Sequence, residues 1–255
     1  MTHVVCIVAA APVRATASHR SEMVSQLLLG EFAEVIESTK DFTRIRGLYD
    51  GYEGWVQASQ LTPVEAATAA LQPLRYTTSV TDVMEMNGTV VRLSIASPVY
   101  DEATQLGKYN FKYMGSNGCV APFSFDAAAL TATARNFLNA PYLWGGRSSF
   151  GIDCSGFTQQ VYKMAGIHLL RDASQQATQG EVTGFLQEAR CGDLAFFDNE
   201  EGKITHVGIL LSSDEIIHAS GRVRIDKIDN EGIVNGDTGE RTHRLRIIKR
   251  VTDTL

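Results

Sequence analysis

The feature that most constrains this chain is a glycine-rich loop that delivers a cysteine onto the first turn of an amphipathic helix. The run Pro141-Tyr-Leu-Trp-Gly-Gly-Arg-Ser-Ser-Phe-Gly-Ile-Asp ends at Cys154. Ser-Gly-Phe-Thr-Gln-Gln-Val-Tyr follows, with its apolar residues at helical spacing. A side chain at a helix start faces unpaired backbone N–H groups and the positive end of the macrodipole. Both favour thiolate over thiol, so a nucleophilic sulfur near neutral pH is expected. A base must then come within hydrogen-bond reach of it from elsewhere in the chain.

The candidates lie downstream. Two apolar, strand-like runs around His206 and His218 flank Ser212, Ser213 and Asp214, which predicts a β-hairpin. With those three residues as the loop, Leu211 faces Glu215 and Gly208 faces His218. His206 is two residues from Gly208, so both imidazoles point to one face as diagonal neighbours, with Gly208 leaving space between them. A two-residue loop would change the parity and separate the rings. The pattern suits one imidazole as base on Cys154 and a second that orients it. Cys6, Cys119 and Cys191 read instead as small buried hydrophobes. Zinc competes as a reading of thiols beside imidazoles. No pair shows the close Cys-x-x-Cys or His-x-x-x-His spacing, so no metal is expected.

Taken in order, Tyr142-x-Trp-Gly-Gly, Gly151-x-Asp-Cys-Ser-Gly, His206-Val-Gly-Ile and Ile217-His-Ala-Ser resemble the NlpC/P60 peptidases. These are bacterial papain-like hydrolases that cut peptidoglycan stem peptides. The resemblance covers about residues 125–255 and implies an α+β, papain-like catalytic domain. It makes Cys154 the nucleophile, His206 the general base and His218 the polar third member, with no cofactor. It also puts Tyr142, Asp153 and Ser155 at substrate-contacting or oxyanion-proximal positions.

Asp172, followed by Ser174, Gln175 and Gln176, reads as the N-cap of a short helix. Many family members carry a neutral residue there. An acid resembles the subgroup that acts on stem peptides with a free N-terminal L-alanine, in which the carboxylate binds the substrate ammonium. A cationic ligand would satisfy a carboxylate that is costly to bury alone. Ala173 stands where related sequences often have Ser, so one hydrogen bond of that amine pocket is expected to be missing. The implied reaction is hydrolysis of the γ-D-glutamyl bond to a diamino acid in a murein peptide, releasing L-Ala-D-Glu, in peptidoglycan turnover or recycling. A non-catalytic cell-wall-binding protein is one alternative, and an amidase or acyltransferase on the same fold is another. Intact Cys154, His206 and His218 weigh against the first, and Asp172 points towards peptide amines.

The first 124 residues read as short strands with glycine-bearing turns, which suits small barrels. Gly51-Tyr-Glu-Gly-Trp-Val is similar to a recurrent motif of bacterial SH3 domains. The expected organisation is small all-β SH3-like barrels before the catalytic domain: an SH3 domain at 1–63, a second, divergent SH3-like β domain at 64–124, and the catalytic domain at 125–255. Val4 to Ala11 reads as one strand, and Thr62 to Ala70 as a connector with a helical turn. In the stem-peptide subgroup the first module walls off the groove. Tyr52 is the favoured residue for that wall, with Glu22 or Glu31 as a second ammonium partner.

Composition agrees. The chain has 255 residues, 44% hydrophobic and 20% charged, which is globular rather than disordered. A net charge of −6 argues against nucleic acid and against anionic membrane surfaces. Four cysteines in this length do not suggest a disulfide framework. No stretch is long enough to insert across a bilayer. The Val4–Ala11 run is short for a leader core and has no Lys or Arg before it. A cytoplasmic murein-recycling location is therefore expected, with a periplasmic or secreted form lacking its leader as the alternative. Oligomeric state is not legible.

Overall fold

Period-two alternation builds most of the chain into strands. In Ala10–Arg14, for example, Ala11 and Val13 point inward while Pro12 and Arg14 are half-exposed. A computed structural model describes residues 2–115, 118–120 and 125–251, with the Cys119 side chain outside the described set. The chain divides into two units. One comprises Met1–Phe123 with the segment Trp144–Gly151, and the other Ser124–Leu143 with Ile152–Leu255.

The first unit carries a seven-stranded antiparallel sheet. Its order is Met23–Leu28, Ala10–Arg14, Glu53–Gln57, Phe42–Gly47, Phe32–Ser38, His3–Cys6 and Leu61–Val64. Val4, Cys6, Ala11, Val13, Leu27, Ala33, Ile45 and Val56 form its core. Gly54, from the SH3-like motif, is required by close packing: a Cβ there would lie 2.5 Å from Val13 Cγ1 and 2.9 Å from the Arg14 carbonyl. Two expectations need correction. Val4 to Ala11 is not one strand, because the chain leaves the ladder after Cys6 and re-enters it at Ala10 beside a different neighbour. Leu61–Val64 is not a connector. It pairs antiparallel with His3–Cys6, and the short helix Ala66–Ala69 follows it.

Residues 75–120 add a four-stranded and a three-stranded sheet. Met84, Leu93, Val99, Leu106 and Phe111 pack with Val5, Ile7, Leu29 and Phe32 in one shared core. Within this unit the Arg147 guanidinium is 2% exposed and meets the Glu31 carboxylate at 2.8 Å. Glu31 also accepts from the Leu28 N–H, and Glu22 accepts from the Trp144 indole at 2.7 Å.

The second unit opens on the helix Ala127–Asn136, N-capped by Asp126. The cysteine helix Cys154–Met164 follows, and its residues are all buried. Gly166, at φ +79°, turns the chain away beyond its end. Six strands then follow in the order Arg241–Arg250, Leu194–Asp198, Ile204–Leu210, Glu215–Ser220, Arg222–Ile228 and Gly232–Val234. The last pairs back onto the first, closing a barrel, and Glu181–Thr183 adds to Arg241–Arg250. The histidine hairpin has the expected register: Gly208 faces His218, and the Leu211 N–H bonds to the Glu215 carbonyl at 2.9 Å.

Candidate active site

Cys154 is the first residue of its helix, and Asp153 is the N-cap. The Asp153 carboxylate accepts from the Gly156 N–H at 2.7 Å. The sulfur lies against the strand that carries His206, 4.0 Å from the Thr205 carbonyl oxygen, and the Val207 backbone also hydrogen-bonds it. The loop–helix sequence therefore sets the cysteine at the mouth of a turn, and the barrel brings the histidine strand to it.

Burial outweighs the helix start in setting the charge on this sulfur. Desolvation, reinforced by the Asp153 carboxylate, pushes the Cys154 thiol up to about 12, against lowering by backbone groups and Arg171. Burial thus opposes the thiolate that the helix start favours. His206 is 5% exposed, and burial, then His218 and His243, hold it well below its ordinary value. Both partners thus favour their neutral forms.

Behind His206 runs a hydrogen-bonded chain. His206 Nε2 lies 2.8 Å from His218 Nδ1, and His218 Nε2 lies 3.0 Å from Asp226 Oδ2. His218 is 1% exposed. The carboxylate fixes the tautomer: His218 Nε2 donates to Asp226, so His218 Nδ1 accepts from His206 Nε2–H. That leaves His206 Nδ1 as the basic nitrogen. Asp226 is held by Arg224 at 2.8 Å and by the Gly236 N–H at 2.8 Å, and its pKa lies well below the usual carboxylate range despite the raising effect of burial. Gly208 is essential to the spacing, since a Cβ there would lie 2.8 Å from His218 Cβ and 2.7 Å from Ile216 Cδ1.

This constellation of thiol, imidazole, imidazole and carboxylate coincides with a family match. The profile of the NlpC/P60 family matches residues 139–241, and that of the bacterial dipeptidyl-peptidase SH3 domain matches residues 13–61. The chain is an NlpC/P60 family protein. It is a cysteine peptidase of that family, with an N-terminal bacterial SH3 domain. A gamma-D-glutamyl-L-lysine dipeptidyl-peptidase of Bacillus cereus is 27% identical over 259 residues, 89% of this chain and 77% of that protein. A protein of the same name from Bacillus subtilis is 43% identical over 95 residues, 36% of this chain and 32% of that protein. The fold matches a crystal structure of an NlpC/P60 protein from Bacillus cereus with a TM-score of 0.82. That match has 21% identity and covers 98% of this chain and all of the other.

Other positions of the NlpC/P60 domain surround the cysteine. Asp153 and Ser155 form a buried cluster with Arg171, which sequence reasoning passed over. Arg171 Nη2 meets Asp153 Oδ2 at 2.6 Å, and Nη1 donates to Ser155 Oγ at 2.9 Å. Tyr142 is half-buried. Its backbone bridges Ile152 just before the cysteine and donates to the Gly221 carbonyl at 3.0 Å. Burial, then the neighbouring Cys154 and Asp153, raise its hydroxyl pKa. Asp172 N-caps the helix Ala173–Gln176, and its N–H donates to Gln175 Oε1 at 3.1 Å. That helix is tied to the cysteine helix: Gln176 accepts from Thr158 at 2.7 Å and donates to the Ser155 carbonyl at 3.0 Å. Asp172 is half-buried rather than sealed in apolar surroundings. Tyr52 is half-buried and belongs to the first unit, as does Glu31, whose carboxylate is committed to Arg147. Cys191 is only partly buried, beside Thr131 Oγ1 at 3.1 Å, and so departs from the reading as a sealed hydrophobe.

Sequence reasoning also missed Asp226 and His243. Asp226 had a signal, because alternation through Arg222–Ile228 puts it on the face that His218 shares with Arg224. Ring nitrogens of His206, His218 and His243 lie within 4.8 Å of one another, which raises the question of a metal. The His206 and His243 rings, however, stack with centroids 4.0 Å apart and planes 26° apart. Stacked rings direct their in-plane lone pairs side by side rather than onto one ion, and the close His206–His218 contact is already a hydrogen bond. No helix among the described residues is long and apolar enough to cross a membrane.

Proposed function

We propose that the enzyme hydrolyses the γ-D-glutamyl bond to a diamino acid in murein peptides that carry a free N-terminal L-alanine, releasing L-Ala-D-Glu. The observation that carries this reading is the half-buried Asp172 carboxylate, set on a helix that Gln176 binds to the start of the cysteine helix. A carboxylate there is an anchor for a peptide ammonium. The shared length and the name of the Bacillus cereus relative support the same bond.

In this mechanism the Cys154 proton passes to His206 Nδ1 as the sulfur bonds to the γ-carbonyl carbon. Backbone N–H groups at the helix start hold the oxyanion. The imidazolium charge spreads towards His218 and is met by Asp226. The carbon–nitrogen bond then breaks, and the departing amine takes the proton from His206. Water, deprotonated by His206, attacks the thioester, and the released thiolate takes the proton back.

Cys154→Ala abolishes turnover while leaving the circular dichroism spectrum unchanged, and full activity in that variant would refute the nucleophile. Asp172→Asn lowers kcat/KM on L-Ala-γ-D-Glu-L-Lys about 30-fold, the scale of one charged hydrogen bond, and leaves the N-acetylated peptide nearly unaffected. Equal loss on both peptides removes the ammonium anchor.

A further inference from the structure

His243 lies on the strand Arg241–Arg250, far in sequence from the hairpin, yet its ring covers that of His206. Three further observations show that this place is built. Thr242 Oγ1 hydrogen-bonds His243 Nδ1 at 2.8 Å and orients the ring. Phe197 packs both imidazoles, with centroids 5.7 Å from His206 and 5.9 Å from His243. Ile233 pairs with His243 across the sheet, and a Cβ at the preceding Gly232, opposite Arg244, would collide with the His243 carbonyl oxygen. The backbone of the stacking residue is therefore clamped as closely as the ladder permits.

His206 has two in-plane duties, one at each ring nitrogen. It bonds His218 through Nε2, and the proposed mechanism requires Nδ1 to take the proton of the sulfur. A ring free to rotate satisfies both only part of the time. A flat group stacked on one face removes that rotation and excludes water from the same side.

We propose that His243 is a positioning residue that fixes the plane of the His206 ring and keeps water from it. This rests on the reading of His206 as the base. The groups against the His206 ring are His218 on Glu215–Ser220, with Asp226 and Arg224 behind it, and His243; Cys154 meets the backbone of the flanking Thr205 and Val207, and Phe197 on Leu194–Asp198 adds no charge. His243 also contributes to holding the His206 pKa down, after burial and His218. Removing it lets His206 take up a proton at higher pH.

The test uses the full chain and a murein tripeptide that the parent turns over. His243→Ala lowers kcat about tenfold with KM within about twofold, the scale of a misplaced catalytic group. The acid limb of its kcat/KM profile moves up by about one pH unit as desolvation is relieved. His243→Phe keeps a flat cover and rescues both quantities. His243→Leu fills the volume without a flat face and follows the alanine variant, which keeps the test intact if His243→Ala fails to fold. Unchanged kcat and acid limb in both the alanine and leucine variants overturn the proposal, as does a phenylalanine variant as impaired as alanine. His206→Ala separates the two levels. Turnover surviving in it sinks the base assignment, whereas its loss beside a parent-like His243→Ala sinks the stacking role alone.

Discussion

Asp226→Asn is the sharpest probe of the relay, because it removes a charge with almost no change of shape. From the 2.8 Å and 3.0 Å bonds on either side of the His218 ring, the carboxylate lies within roughly 8 Å of His206 Nε2; at an effective dielectric of about 20 it stabilises an imidazolium there by about 2 kcal/mol. In the proposed mechanism His206 carries that positive charge only during proton transfer, since burial and its two histidine neighbours hold its pKa down. The stabilisation therefore falls on the transition state and not on substrate binding, and about 2 kcal/mol corresponds to about a 30-fold fall in kcat. KM should stay within about twofold of the parent. The assay is steady-state release of the diamino acid from the tripeptide, with thermal unfolding measured alongside to show that the Arg224 and Gly236 contacts survive well enough to fold. A kcat within twofold of the parent would refute the reasoning, and the chain behind His218 would then be only structural.

Further outcomes follow from the same geometry. Gly208→Ala pushes the new Cβ against His218 and Ile216, so kcat falls about tenfold or more and stability drops by about 1–3 kcal/mol, read by turnover and urea unfolding. Folding stability should decline as pH falls from about 6.5 towards about 4. His243 has its pKa depressed to about 4 and His206 well below 6.5, so the unfolded chain takes up protons that the folded one refuses. Unfolding curves across that range test the sign, and stability rising with acid would contradict it. Glu31→Gln leaves the buried Arg147 guanidinium without its carboxylate and costs about 3–5 kcal/mol, whereas replacing both partners by methionine recovers most of it. Equal stability of Glu31→Gln and parent in urea would show that the pair is not the anchor its burial implies.

Much of the site was legible because it is local. A glycine-rich loop ending at Asp153, Cys154 on the first helical turn, and the three-residue loop that puts His206 and His218 on one face all follow from spacing within a few residues. The β character of the first unit was legible through its alternation for the same reason. What spacing alone could not supply was contact between distant strands. Leu61–Val64 lacks a strand's usual signals, and only pairing with His3–Cys6 makes it one. Arg171 reads as a surface charge until the fold buries it on Asp153.

The sequence by itself determined the placement of Cys154 at a helix start and of His206 and His218 on one face of a hairpin, because helix starts and hairpin parity are set by neighbours along the chain. Tertiary structure decided their ionisation and their support. Packing of the distant strand Arg241–Arg250 into the barrel stacks His243 on His206. Burial raises the Cys154 pKa against the effect of the helix start, because desolvation depends on what the rest of the unit packs around the sulfur and no local pattern encodes that.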